Sequence, residues 1–190
     1  YIGGNGGATD ITNPTAITSE TTNPAIAGTT VNNLIISNNQ INQCGRAIVF
    51  NGAVASVSNG VSFANNIIGA SGAPGAYPFA TITSTVYTKG IYLAGTNAAT
   101  ISGNTFRNIF SYINTNINVI EFASALGTGA MNISNNIFTT TANNGTSASC
   151  VPVFINSLGG PVSITGNTIA SVFSQATGVS VSAIQIANNG

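Results

Sequence analysis

An eight-residue pattern occurs five times in the chain: LIISNNQI at 34–41, VSFANNII at 61–68, ATISGNTF at 99–106, MNISNNIF at 131–138 and VSITGNTI at 162–169. Its strictest position is the second residue of the Asn or Gly-Asn pair, namely Asn39, Asn66, Asn104, Asn136 and Asn167. These lie 27, 38, 32 and 31 residues apart. A near-regular period of that size is the mark of a solenoid or another repeat architecture, in which each repeat buries its apolar face only against its neighbours.

A second short segment precedes each motif: PAIA at 24–27, AIVF at 47–50, GIYL at 90–93, VIEF at 119–122 and PVFI at 152–155, with AIQI at 183–186 opening a sixth unit; most of these share an alternating pattern. Ile91 and Leu93 flank Tyr92, Ile120 and Phe122 flank Glu121, and Ile184 and Ile186 flank Gln185. Period-two alternation in short β-branched or aromatic runs bounded by Gly and Asn predicts strands with one buried face. Only residues 106–120 leave helix open as an alternative. The outward positions equivalent to Glu121 are Val49, Tyr92, Phe154 and Gln185.

Short strands of this kind are stabilised by stacking in parallel register, ~4.8 Å apart, around a narrow core with wet outer faces. The Asn motif suits the corner between strands. Asn and Gly tolerate the left-handed backbone conformation, and stacked Asn side chains can hydrogen-bond from one rung to the next. The expected fold is an all-β solenoid of about six rungs. Residues 1–23 read as the end of a preceding rung plus an excursion loop, and residues 24–190 as the coil, with a long insertion at 69–88. That insertion is too apolar for a free loop and is expected to cover one side of the coil or to meet a neighbouring chain. Numbering that starts at Tyr1, and an end that stops where a new repeat should open, suggest an excerpt from a longer processed rod.

With Ile101, Asn104, Phe106 and their equivalents in the sister motifs, the sequence resembles the right-handed parallel β-helix repeats of the pectate-lyase-like superfamily. The right hand is implied by that resemblance alone. In its abundance of Asn and Thr and its lack of charge, the chain is also similar to the repeats of very large surface adhesins secreted by gliding bacteria of the Bacteroidetes type. These likenesses imply an extracellular, cell-surface segment with a structural or adhesive role, partnered by a cell-surface or matrix polysaccharide or by another copy of itself.

The rarity of charge excludes several functions. Three basic and three acidic residues in 190, with no His, amount to 3% charged residues against a usual share of roughly 25%. No basic patch is available for nucleic acid, and no acidic cluster for a hard cation. No apolar run reaches the ~18 residues of a membrane span. The enzymes best known on the resembled fold carry acidic clusters, calcium ligands or a catalytic Arg on one outer sheet. Here Glu121 has no second carboxylate at an equivalent position, so the paired machinery of glycoside hydrolysis is missing and a lone solvated side chain is expected. A polysaccharide-binding or polysaccharide-degrading domain is the alternative reading, and no catalytic residue, metal or cofactor is assigned.

Cys44 and Cys150 have no His to activate them. They occupy similar places three rungs apart, ~14 Å at the strand spacing, beyond the ~7 Å reach of a disulfide, so two free, buried thiols are expected. Arg46 and Lys89 fall at equivalent places on adjacent rungs, with Tyr87 and Tyr92 close by. These four are the candidates for a glycan or anion contact, against the blander reading of a scattered, solvated pair. Alternating Thr81, Thr83 and Thr85, and the Thr run at 139–141, raise ice binding as a lesser alternative, though the threonines do not recur in every rung. Asn132 and Asn144 head glycosylation acceptor patterns that are expected by chance in such a composition.

Overall fold

The computed structural model describes residues 2–3, 15–18, 31–42, 46–52, 57–69, 88–111, 116–123, 127–143, 148–156 and 159–187. Within these the chain is built of strands and turns, with no helix. The strands β1 (Ile2–Gly3) and β2 (Thr15–Thr18) come first. Strand β2, which pairs with the strand at 46–51, lies inside the stretch that reads as a loop in sequence, whereas residues 24–27, read as the strand of the first unit, lie outside the described residues. Then follow β3 (Ile35–Ser37), β4 (Gln40–Asn42) and β5 (Arg46–Asn51). The next turn supplies β6 (Val61–Ala64), β7 (Ile67–Ile68) and β8 (Thr88–Ala94). From there each turn has four strands. The first set is β9 (Ala99–Ser102), β10 (Thr105–Phe106), β11 (Ile109–Ser111) and β12 (Ile117–Phe122). The second is β13 (Met131–Ser134), β14 (Ile137–Phe138), β15 (Thr141–Asn143) and β16 (Cys150–Ile155). The last is β17 (Val162–Thr165), β18 (Thr168–Ile169), β19 (Val172–Ser174) and β20 (Ile184–Ile186).

Every sheet links strands of successive turns, and every pairing is parallel. Two sheets of six strands run β1-β4-β7-β10-β14-β18 and β2-β5-β8-β12-β16-β20; a five-stranded sheet runs β3-β6-β9-β13-β17, and a three-stranded one β11-β15-β19. This is a parallel β-helix. The stretch 106–120 that left helix open contains the strands β11 and β12 instead.

The register stacks like on like. Ile41, Ile68, Phe106, Phe138 and Ile169 form one column. Phe63, Ile101 and Ile133 form a second, and Phe50, Leu93, Phe122 and Ile155 a third. All but the terminal Ile169 are sealed from solvent in one continuous core. The rings of Phe106 and Phe138 stack with centroids 4.8 Å apart, the spacing that the sheet itself imposes.

Corners are made by the residue before the strict Asn. Asn38, Asn65, Gly103, Asn135 and Gly166 all have positive φ, between 55° and 65°. One residue on, the strict Asn joins the stack, and the next strand opens directly after it. The Thr run at 139–141 does not present a flat outer array, because Thr141 is wholly buried; Thr81, Thr83 and Thr85 lie outside the described residues, as does most of the insertion at 69–88. Asn132 is exposed, while Asn144 lies outside the described residues.

Candidate functional site

Two side-chain arrays stand out, one inside the coil and one on its surface. The inner array joins the five strict asparagines. The backbone N–H and the Nδ2 of Asn39 both donate to Oδ1 of Asn66, at 3.0 and 3.1 Å. Asn66 repeats this toward Asn104 at 2.9 and 3.0 Å, Asn104 toward Asn136 at 3.0 and 3.0 Å, and Asn136 toward Asn167 at 2.9 and 2.9 Å. Each Nδ2 from Asn66 onward also donates to a carbonyl one rung back, that of Ile36, Phe63, Ile101 and Ile133 in turn. An amide is suited to this because it presents a double acceptor and a double donor on one rigid plane. Asn66, Asn104 and Asn136 are entirely buried, so the ladder satisfies groups that would otherwise be stranded.

A partial second ladder lies seven residues upstream and escapes a search for the strict motif alone. Asn59 N–H donates to Asn32 Oδ1, Asn97 Nδ2 to Asn59 Oδ1, and Gly129 N–H to Asn97 Oδ1. The signal was present in sequence, because Asn32, Asn59 and Asn97 each precede a strict Asn by seven positions.

The surface array lies on the outer face of β5, β8, β12, β16 and β20. Its ladder skips one position in each strand, between Arg46 and Ile48, Lys89 and Ile91, Asn118 and Ile120, and Val151 and Val153. The skip turns Lys89 and Asn118 outward although Ile91 and Ile120, two positions on, face the core. Gly90 sits at one such skip, where a Cβ would come within 2.8 Å of the Val119 carbonyl. Two outward columns result. Arg46, Lys89, Asn118 and Val151 form the first, and Val49, Tyr92, Glu121, Phe154 and Gln185 the second.

This face is not the wet surface expected of a solenoid. Val49 and Val151 are buried, and Lys89 is only 4% exposed. Arg46 and Lys89 are direct register partners, but Lys89 is no scattered solvated cation. Its Nζ forms an ion pair with Glu121 Oε2. Glu121, in turn, is not a lone solvated carboxylate: its side chain is 13% exposed, and Oε2 also accepts a 2.7 Å hydrogen bond from Asn118 Nδ2. The expectation failed because side-chain alternation reports direction, and says nothing of what lies over an outward residue. Val179 and Ser180, from the segment after β19, line a cavity of about 530 Å³ together with Lys89, Asn118, Glu121 and Phe154.

Burial, and the Arg46 guanidinium on the next strand, pull the Lys89 amine from its ordinary 10.5 down to about 7, the reverse of the pull from Glu121. The Tyr92 ring lies beneath Nζ, 5.9 Å from its centroid. Tyr87 lies outside the described residues. Arg46 Nε is buried without a hydrogen-bond partner.

Cys150 is buried with a free thiol that desolvation pushes up to about 12; Cys44 lies outside the described residues. Among the described residues no group of three or more His, Cys, Asp or Glu is placed to hold a metal. Among the described residues no helix is long and apolar enough to cross a membrane. Comparison of the chain with protein-family models, curated protein sequences and solved structures gives no match.

Proposed function

We propose that this chain is a non-enzymatic structural and adhesive segment of an extracellular, cell-surface rod, akin to the Asn- and Thr-rich repeats of large secreted adhesins that its motif resembles. The observation that carries the reading is the unbroken asparagine ladder, in which four successive steps repeat one bonding geometry. Such a device stiffens a stack along its length.

Single-molecule pulling between the two ends of the chain tests the reading. A rod segment gives way one rung at a time, with length steps set by the 27 to 38 residues between ladder positions, about 90–130 Å at ~3.4 Å per residue. Extension at negligible force, without steps, would be incompatible with a load-bearing role.

A second reading, polysaccharide binding, is favoured by the outer cavity, where Phe154 stands among Asn116, Asn118 and Gln185. An aromatic face among amides is a surface on which sugars pack. Titration with soluble oligosaccharides decides it, with binding expected to weaken in Phe154→Ala and Gln185→Ala.

A further inference from the structure

The geometry points to a covalent amide cross-link between Lys89 and Asn118, formed by the chain itself with Glu121 as proton carrier. This inference stands apart from the proposed role, because it concerns a bond within the coil and not what the coil contacts. Three observations support it. Lys89 and Asn118 are direct register partners on the adjacent parallel strands β8 and β12, with backbones ~4.8 Å apart. Both are shielded, at 4% and 7% exposure, in a chain with only three basic residues to place. Glu121 Oε2 holds Lys89 Nζ and Asn118 Nδ2 at once, so amine, carboxamide and carboxylate converge on one oxygen.

A buried ion pair is a weak source of stability, and an outward apolar residue serves at the equivalent place one rung on, where Val151 follows Asn118. Reaction gives the arrangement a purpose. In water an amine does not attack a carboxamide at a useful rate, because it is protonated and the amide nitrogen is a poor leaving group. Each obstacle is lowered here. Burial and Arg46 free the Lys89 amine near neutral pH, the fold holds the two groups together, and Glu121 touches both the donor and the leaving nitrogen.

Glu121 takes a proton from the Lys89 ammonium. The neutral Nζ attacks Asn118 Cγ, forming the Nζ–Cγ bond, while Glu121 delivers its proton to Nδ2. The Cγ–Nδ2 bond breaks, Nζ loses its second proton to the departing ammonia, and ammonium leaves through the adjoining cavity. The sum is one lysine ammonium and one carboxamide converted to one secondary amide and one ammonium ion. Glu121 is regenerated, and no oxidant or cofactor is consumed.

Intact-mass measurement of the full chain tests this, followed by tryptic mapping. The expected result is a mass one ammonia below that of the sequence, with no cleavage after Lys89 and a joined peptide linking Lys89 to Asn118. Lys89→Arg, which keeps the charge, and Asn118→Ala should both show the full sequence mass. Glu121→Gln should form the link roughly 10²-fold more slowly or worse. The rate in freshly refolded wild-type protein should rise with pH through about 7. A folded wild-type chain that keeps its full mass overturns the proposal. So does an ammonia loss that maps to an Asn followed by Gly, at Asn5, Asn51, Asn59, Asn144 or Asn189, since that is cyclisation of the backbone.

Discussion

Asn104 shows what one side chain does in this molecule. Its Oδ1 accepts from the backbone and side chain of Asn66, and its own N–H and Nδ2 donate to Asn136, with a further bond to the Phe63 carbonyl. Replacing it with Ala strands the buried Asn66 N–H, at about 1–3 kcal/mol for a group left unpaired, and takes one hydrogen bond each from the Asn66 amide, which keeps the Ile36 carbonyl, and from the Phe63 carbonyl. Thermal or chemical unfolding should therefore show Asn104→Ala as one of the most damaging single changes. Asn39→Ala, at a partly buried end of the ladder, should cost distinctly less. The corner beside it is as demanding. Gly103 has φ +65°, and a Cβ there would lie 2.4 Å from Asn65 Oδ1. Gly103→Ala should lose roughly 1–2 kcal/mol from the left-handed backbone alone, plus the cost of displacing the Asn65 amide, measured in the same unfolding experiment.

Strands of two to seven residues have little stability singly, so an element here is meaningful only with the one above and below it. The Phe106–Phe138 stack is the clearest case, joining β10 to β14. Either Phe→Ala change should cost about 3–5 kcal/mol, and a double-mutant cycle should return a coupling of about 0.5–1.5 kcal/mol for the ring pair. Coupling near zero would mean that the rungs do not communicate through the core. The stacking order was legible in sequence, because the Asn spacing and the Ile-x-Leu, Ile-x-Phe alternation set which residues share a column, down to Val49, Tyr92, Glu121, Phe154 and Gln185. The two-residue strands and the three-stranded sheet β11-β15-β19 were not, since Thr105–Phe106 or Ile109–Ser111 is too short to display any period. The site was half legible. Sequence placed Arg46 beside Lys89, but the skipped position at Gly90 and Val119 is a backbone event with no residue signature of its own, and it is this skip that brings Lys89, Asn118 and Glu121 together on one face. Their burial depends on what lies above them, which a strand's own alternation does not record.

At the scale of the whole molecule, the fold is a one-dimensional stack in which each turn contacts its neighbours, so its stability is approximately a sum of rung and interface contributions. The inner rungs are held from both sides, and their core columns are sealed from solvent. Everything rests on residues some thirty positions apart lying directly above one another. Nuclear Overhauser contacts among the asparagine side-chain amides, in uniformly labelled protein, measure that directly. Asn104 should contact Asn66 on one side and Asn136 on the other, with Asn136 continuing to Asn167 and Asn66 to Asn39. Contacts from Asn104 to neither, or cross-strand contacts of the antiparallel kind between β9 and β13, would contradict the account.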